Sequence, residues 1–375
     1  MERDLTRELR REEKIVLELR GLYEDYGFRK YRMGKFEEYD LYLENKNFLK
    51  DPNIITFHDL DGRVLALKPD VTLSIAKNTH ATAHSSERVY YLENVYRLEK
   101  QNGYREIEQL GLEYIGDLDA MASYEVLCLA QRTLDAISER NMMQVSHIGF
   151  WVSLLDGLCI SGGLRRELLE CVHGKRRHEL KALLDRALVP PAAAELLTKA
   201  AGLAGEFTET LNEARRISIS SGMTEALDEL ETVYALLKSE GCADRIRLDF
   251  SLVNDIDYYD GLVFQGFVEG VPRALLTGGY YGRLLRKFDR ELDAIGFAVY
   301  LDELNLLFRS QHQTDVDALI LYDAGADFAA LQAAAGEMRS AGMRVRLEKE
   351  IPENIRCGKI YRFGPEGLKE AGKDA

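Results

Sequence analysis

Residues 88–116 read RVYYLENVYRLEKQNGYREIEQLGLEYIG, and this stretch decides the fold. Residues 88–96 and 107–115 are rich in β-branched and aromatic side chains, and the polar segment 100–103 lies between them. Two such runs around a polar turn predict a β-hairpin. We expect the later strands of the chain to join this hairpin in one mainly antiparallel sheet.

One face of the second run carries polar side chains. Gln109, Gly111 and Glu113 are two residues apart, so they point to the same side of a strand. A Gln and a Glu beside a Gly create a polar hollow with room for a small ligand, although the same residues are common on a solvent-facing strand. Arg97, on the partner strand, needs a carboxylate partner from the protein or from a ligand. The hairpin therefore predicts either a ligand pocket or an exposed face with an ion pair.

The segments around the hairpin show helix and strand patterns in turn. Apolar residues at spacings of three and four predict helices at residues 4–26, 119–140 and throughout 150–240. Strand patterns lie at residues 54–57, 64–67, 246–250, 262–268 and 273–276. Thr277-Gly278-Gly279 is typical of a turn, and residues 295–299 are expected to open a helix that runs to Leu307.

The chain is expected to be an α+β protein of two domains. Residues 1–310 would form an antiparallel sheet flanked by helices, with a helical insertion at about 150–243. Residues 314–375 would form a small α/β unit, with Ala341-Gly342 as the turn that ends its helix. The expected elements of this unit are strands at 316–322, 343–347 and 359–363 and a helix at 327–340.

Composition excludes several classes of protein. The 375 residues carry 49 basic and 63 acidic side chains, a net charge of −14, which disfavours binding to a nucleic-acid backbone. No apolar run approaches membrane-spanning length and no signal sequence opens the chain, so we expect a cytoplasmic protein. The five cysteines, Cys128, Cys159, Cys171, Cys242 and Cys357, are scattered and contain no C-x-x-C pair, which favours free thiols over a disulfide framework or a zinc site.

Four motifs in this order resemble those of a class II histidyl-tRNA synthetase. Residues 67–72, LKPDVT, resemble the family's L-R-P-E-G-T loop, and residues 95–113 resemble its motif 2. Residues 257–261, DYYDG, resemble the histidine-specific L-D-Y-Y-T-G, and GGYYG at 278–282 resembles G-G-R-Y-D. The resemblance covers most of residues 5–307 and implies the class II synthetase fold, with the terminal unit as a truncated anticodon-binding domain.

The resemblance also implies a pocket for histidine. Asp70 and Gln109 would hold its α-ammonium, with Thr72 beside them, and Arg97 would face its carboxylate. The imidazole would be addressed by Glu113, Tyr258 and Tyr259. These groups suit the ligand, because a carboxylate and an amide oxygen accept from an ammonium and a guanidinium binds a carboxylate.

The adenylation half of the site departs from the family pattern. Asn254 stands where the synthetase carries an arginine that helps to activate the histidine carboxylate, and Glu303 stands where motif 3 has the arginine that clamps ATP. The motif 2 loop is also short and lacks its second phosphate-facing arginine. A carboxylate beside a polyphosphate reverses the sign of the interaction. We therefore expect no catalytic residues, no metal and no cofactor in this chain.

A synthetase-like pocket that keeps histidine but loses ATP resembles the regulatory subunits of short-form ATP phosphoribosyltransferases. That resemblance implies a short catalytic subunit as the partner, L-histidine as a feedback inhibitor, and a homodimer within a hetero-octamer, without nucleic acid or membrane. Two other functions remain open, namely a divergent active histidyl-tRNA synthetase and a tRNA- or protein-binding adaptor. His80 and His84, four apart in a helical-looking stretch, are interpreted as a solvated helix face rather than a metal site.

Overall fold

A computed structural model describes residues 9–46, 49, 53–99, 103–253, 258–308 and 314–371. The chain divides into two compact units between Leu306 and Leu307. The strands of the first unit are β1 (Arg29–Lys30), β2 (Phe36–Glu38), β3 (Thr56–His58), β4 (Val64–Leu67), β5 (Glu87–Glu99), β6 (Gly103–Gly116), β7 (Asn141–His147), β8 (Ala204–Glu206), β9 (Ile246–Asp249), β10 (Leu262–Val268), β11 (Leu276–Tyr280) and β12 (Asp293–Tyr300).

The helices that flank these strands are α1 (Arg11–Asp25), α2 (Tyr39–Glu44), α3 (Thr72–Asn78), α4 (Ala120–Ile137), α5 (Ile148–Gly157), α6 (Gly162–His173), α7 (Arg177–Arg186), α8 (Pro191–Ala200), α9 (Phe207–Arg216), α10 (Ser221–Ser239), α11 (Gly282–Lys287) and α12 (Leu301–Phe308). The central sheet has the strand order β1-β5-β6-β12-β11-β10-β7-β9-β8. Only the pairs β1–β5 and β7–β9 are parallel among its described strands, so the expected antiparallel sheet is confirmed. A smaller sheet has the order β2-β4-β3.

Two layers cover the central sheet. On one face, α1 and α4 pack together: the Tyr23 hydroxyl lies 3.0 Å from Thr133 Oγ1, and the Tyr23 ring meets that of Phe297 edge-on. On the other face, α2, α3, α11 and the small sheet enclose an apolar cluster that includes Val71, Leu284 and Tyr281. This second layer stands over the middle of β5, β6, β12 and β11, where the candidate site lies.

The hairpin of residues 88–116 is confirmed as β5 and β6. Its antiparallel register runs from Glu87 opposite Ile115 to Glu99 opposite Gly103, and Gly103 has φ +75°. Asp61-Gly62 likewise turns between β3 and β4, with Gly62 at φ +86°. Glycine takes such backbone angles without the steric cost that a Cβ imposes. The polar turn segments therefore set the register of both hairpins.

The prediction of a turn at Thr277-Gly278-Gly279 is wrong, because these residues form the middle of β11. A Cβ on Gly278 would lie 2.5 Å from Gly296 O and 2.6 Å from Phe264 Cζ, so glycine is needed here for close packing between strands. The helix predicted to open at residue 295 is also wrong, since residues 293–300 form β12 and the helix begins only at Leu301.

The region between residues 141 and 243 differs from its prediction in two places. Residues 141–147 form β7, a strand that the sequence analysis did not predict, and α5 then begins at Ile148. The helical pattern expected throughout 150–240 is interrupted by β8, whose three residues pair with β9 at the edge of the sheet. Three residues are too few to show an alternating pattern in the sequence.

The second unit is a four-stranded sheet with one helix. Its elements are β13 (Val316–Tyr322), α13 (Phe328–Ser340), β14 (Val345–Glu348), β15 (Cys357–Gly364) and β16 (Gly367–Ala371), with strand order β14-β13-β15-β16. Asp327 caps α13 by accepting from Ala329 N at 2.9 Å, and Gly342 follows its C-terminus at φ +87°. The sequence patterns did not predict β16. Within the described part of the chain, no helix combines the length and apolar character needed to cross a bilayer.

Gly278→Ala should destabilise the first unit by about 1–3 kcal/mol, because the added methyl group must displace packed atoms of β12 and Phe264. Urea unfolding followed by far-UV circular dichroism measures the change. Gly21→Ala is the matched control, since a Cβ there meets no atom within 4 Å inside helix α1. That control should be neutral or stabilising by up to about 1 kcal/mol. Equal stability of the two variants would contradict the packing argument.

Candidate ligand-binding site

A cavity that is partly open to solvent lies over the middle of β5, β6, β12 and β11. All seven residues predicted to form a site line it, namely Asp70, Thr72, Arg97, Gln109, Glu113, Tyr258 and Tyr259. They come from the start of α3, from two neighbouring strands and from the segment before β10. Its lining mixes aromatic rings with a few charged groups, as small-molecule sites do.

Small residues form the floor of the cavity. In the sheet, Gly111 lies opposite Ala298 and Glu113 lies opposite Gly296, so these four side-chain positions share one face. A Cβ on Gly296 would overlap the Glu113 carboxylate, and a Cβ on Gly111 would overlap the Tyr91 ring. The space over Gly111 is taken by the Tyr91 ring, and the Gln109 and Glu113 side chains on either side of it are buried rather than solvent-facing.

Glu113 is the buried carboxyl group of the cavity, with 2% of its surface exposed. The Thr72 hydroxyl donates to its Oε1 at 2.7 Å, and the Tyr281 hydroxyl donates to its Oε2. Burial raises the pKa of Glu113 to about 8, against the two hydroxyl donors, which lower it. The raised pKa favours a protonated Glu113 near neutral pH, whereas a cation beside it would favour the carboxylate.

Asp70 and Arg97 place opposite charges at another part of the cavity. Asp70 Oδ1 accepts from Leu73 N at 2.9 Å at the start of α3, and its Oδ2 lies 3.5 Å from Arg97 Nη2. Arg97 Nε also donates to Pro69 O at 2.8 Å. The contact of guanidinium and carboxylate is long, so both groups keep hydrogen-bonding capacity for a ligand.

Lys68 anchors the Asp70 segment to β5. Its side chain is fully buried, and Nζ donates to Glu93 Oε2 at 2.8 Å. The Lys68 carbonyl in turn accepts from Tyr96 N at 2.9 Å. A buried lysine needs such a partner, and removing either member would leave a charge without compensation. These two contacts hold the segment that carries Asp70 against the strand that carries Arg97.

Aromatic rings form one side of the cavity. The Tyr258 ring centroid is 4.7 Å from that of Tyr259 and 5.8 Å from that of Tyr281. Burial raises the pKa of Tyr258 well above its usual value, so its hydroxyl stays protonated. Residues 254–257 precede this pair and lie outside the described residues, so Asn254 keeps only the interpretation drawn from the sequence.

Sequence reasoning missed other residues of the cavity lining, chiefly Tyr91, Tyr281, Thr277 and Tyr300. Tyr281 is the most important, because it holds Glu113. It lies within the GGYYG motif, which was recognised without assigning a role to its second tyrosine. Thr277 and Tyr300 hydroxyls lie 3.1 Å apart on β11 and β12, a pair that the mistaken turn and helix predictions had hidden.

Glu303 lies on α12 with little exposure and pairs with Arg273, whose Nε is 3.2 Å from Oε1. Its other oxygen is buried without a hydrogen-bond partner among the described residues. The Glu303 carboxylate adds negative charge at this position and forms an ion pair with Arg273. The motif 2 loop at residues 100–102 lies outside the described residues.

Two other sequence candidates are outside the cavity. Helix α3 ends at Asn78, so His80 and His84 are exposed, as expected, but the prediction that they lie on a helix is wrong. Among the described residues, no group of three or more His, Cys, Asp or Glu side chains is arranged to hold a metal. Residues 175–178, KRRH, form a short basic run in which Lys175 pairs with Asp249 at 2.9 Å and Arg176 with Glu179 at 2.7 Å.

The mainly antiparallel sheet, its flanking helices and the cavity over its centre define a class II aminoacyl-tRNA synthetase-like protein. The family model described as "Histidyl-tRNA synthetase" matches residues 2–304, and the chain belongs to that family. This confirms the resemblance stated for its motifs.

Named relatives make the resemblance more specific. An "ATP phosphoribosyltransferase regulatory subunit" from Oceanobacillus iheyensis is 28% identical over 319 residues, which cover 82% of this chain and 77% of that protein. A crystal structure of an ATP phosphoribosyltransferase regulatory subunit/histidyl-tRNA synthetase from Bacillus halodurans aligns with a TM-score of 0.73 and 26% identity, over 90% of this chain and 88% of that one. A chain of an ATP phosphoribosyl transferase (HisG:HisZ) complex from Thermotoga maritima has a TM-score of 0.61 at 17% identity, over 76% and 96% of the two chains, and shares the fold.

Glu113→Gln should remove a pH dependence from the stability of the protein. Because the pKa of Glu113 is raised on folding to about 8, the folded state keeps a proton that the unfolded state loses near the usual value of 4.5. Wild-type stability should therefore fall relative to Glu113→Gln as pH rises from 5 to 8, by up to about 1.4 kcal/mol per pH unit.

Urea unfolding of both proteins across this pH range measures the difference. Glu213→Gln is the control, because Glu213 is exposed on α9. Parallel pH profiles of wild type and Glu113→Gln would contradict a protonated, buried Glu113.

Proposed function

We propose that this chain is a non-catalytic regulatory subunit of an ATP phosphoribosyltransferase, and that it binds L-histidine in the cavity as a feedback inhibitor. The observation that carries the proposal is the convergence of seven predicted residues on one cavity. Family membership and the names of the relatives support the regulatory role. The partner would be the short catalytic subunit, joined by homodimers of this chain in a hetero-octamer.

The charges of the cavity complement a zwitterionic amino acid. Asp70 and the Gln109 amide oxygen can accept from an α-ammonium, and Arg97 can donate to a carboxylate through nitrogens that Pro69 O does not engage. Glu113 and the tyrosine hydroxyls can pair with two distinct imidazole nitrogens. A buried, protonated carboxyl group costs little to desolvate, and it becomes charged when a cationic imidazole ring binds beside it.

Adenylation requires cations around the ATP phosphates. Glu303, a carboxylate at the position of the motif 3 arginine, argues against adenylation by this chain. The Arg273 guanidinium beside it is engaged by this carboxylate rather than left for a polyphosphate. Cations around the phosphates supply most of the catalysis in phosphoryl and adenylyl transfer. A carboxylate in place of such a cation therefore favours a chain that binds its ligand without catalysing a reaction. The alternative function, a divergent active histidyl-tRNA synthetase, predicts histidine-dependent exchange of pyrophosphate into ATP.

Calorimetry on the isolated chain should show micromolar to sub-millimolar binding of L-histidine and no binding of ATP. Glu113→Ala should weaken histidine by about 2 kcal/mol or more, because a buried imidazole donor loses its acceptor. Glu106→Ala, on the exposed side of the same strand, is the matched control and should bind as wild type. Histidinol, which lacks the carboxylate, and imidazolepropionate, which lacks the ammonium, should both bind more weakly.

Each opposite result has a distinct meaning. Saturable ATP binding or histidine-dependent pyrophosphate exchange would support the active synthetase. Unchanged histidine affinity in Glu113→Ala would move the ligand to another site. Absence of histidine binding, together with retained assembly with a catalytic subunit, would favour the adaptor function. Mass measurement of the co-purified complex tests the proposed stoichiometry.

In the assembled complex, Asp70→Asn and Tyr258→Ala should leave ATP phosphoribosyltransferase activity largely intact. Histidine inhibition should shift to concentrations about tenfold higher, which corresponds to about 1.4 kcal/mol of lost effector binding. The asparagine keeps an oxygen that can accept from Leu73 N, so the start of α3 should survive the change. The measurement is a histidine titration of initial rate for each variant.

Asp119→Asn is the control for the same chemical change. Asp119 accepts from Met121 N and Ala122 N at the start of α4, and it does not line the cavity. Its inhibition curve should match that of the wild type. If the Asp70 and Tyr258 variants also retain wild-type inhibition, histidine acts elsewhere and the proposed role of the cavity is wrong.

A further inference from the structure

Two cysteine side chains that are distant in sequence are in contact. Cys128 is buried on α4, and Cys242 is half-buried just after α10, with their Sγ atoms 3.1 Å apart. A disulfide bond is about 2.05 Å long, so the two sulfurs need to approach by only about 1 Å. They are 114 positions apart in the chain.

Regular backbone holds both cysteines in place. Cys128 is in the middle of α4, which packs against β10, where a Cβ on Gly266 would overlap the Leu134 side chain. Cys242 follows Gly241, which has φ +70°, and Cys242 N donates to Leu237 O at 2.9 Å in a helix-ending turn. The contact between the sulfurs is therefore a consequence of helix packing rather than of a loose loop.

The surroundings make the two thiols unequal. Arg132, one turn after Cys128 on α4, lies beside both sulfurs. Burial and the neighbouring Cys242 raise the pKa of Cys128 to about 12, so Cys128 remains a thiol. Cys242 is also the more exposed of the two, so it is the one that a reagent in solution meets first.

We propose that Cys128 and Cys242 form a dithiol site that a low-molecular-weight disulfide oxidises to an intramolecular disulfide bond. The Cys242 thiolate attacks one sulfur of the reagent, the reagent's S–S bond breaks, and one small thiolate leaves and takes up a proton. Cys128 then loses its proton, attacks Cys242 Sγ and displaces the second small thiol. In total, two protein thiols are oxidised and one small disulfide is reduced to two thiols.

The bond would join the segment after α10, the last helix of the insertion, to α4, which packs on the central sheet. Because it closes a loop of more than 100 residues, it removes conformational entropy chiefly from the unfolded chain. The oxidised protein should therefore resist thermal unfolding more than the reduced protein does. The site lies on the face of the sheet opposite the cavity, so the inference is independent of the proposed function.

Incubation of the whole chain with glutathione disulfide tests the site. After acid quenching and alkylation, peptide mapping by mass spectrometry should find Cys128 joined to Cys242, whereas exposed Cys159 should carry glutathione. The oxidised protein should melt about 5 °C or more above the reduced protein. Dithiothreitol should reverse both changes.

Two variants complete the test. Cys159→Ser should still form the cross-link with the same gain in melting temperature, and Cys242→Ser should show neither. The proposal is overturned if Cys242 accumulates only as its glutathione adduct while Cys128 stays alkylatable. It is equally overturned if both remain thiols at a concentration of glutathione disulfide that fully modifies Cys159.

Discussion

The carboxyl group of Glu113 ties together the parts of the molecule that enclose the cavity. Its two oxygens accept from Thr72, 41 positions earlier, and from Tyr281, 168 positions later. One strand, the start of α3 and the start of α11 thus meet at a single buried group. A buried polar group without hydrogen-bond partners is costly. The Thr72 and Tyr281 hydroxyls are therefore held at the two Glu113 oxygens, and this constraint fixes the shape of the cavity around them.

The space around Glu113 depends on the register of the sheet. Gly296 and Gly111 leave room because a Cβ at either position would overlap Glu113 or Tyr91. A slip of one residue between β6 and β12 would turn Phe297 or Leu112 towards the cavity and close it. The same register sends Phe297 to the other face, where it meets Tyr23. The core and the cavity are therefore two consequences of one strand pairing.

Local patterns account for the predictions that were confirmed and for those that were wrong. The β5–β6 hairpin, α4 and α13 have strong periodicity and clear turn or capping residues, so the sequence predicted them within a few residues. β11 and β12 were mistaken for a turn and a helix, because their glycines serve close packing between strands rather than chain reversal. β7 was missed because helices α4 and α5 precede and follow it in the chain and because its own strand pattern is short.

By itself, the sequence determined the main hairpin, and alternation along its second strand places Gln109 and Glu113 on one face. The resemblance of the chain's motifs to those of class II histidyl-tRNA synthetases supplied the class II fold and the other residues of the candidate site. Only the tertiary structure decided that the Gln109 and Glu113 side chains are buried and that Tyr281 donates a hydrogen bond to Glu113. It also brought Glu303 to Arg273 and Cys128 to Cys242. Each of these pairings joins residues at least 30 positions apart, and no local pattern encodes such a contact. They arise only when strand register and helix packing bring distant segments together.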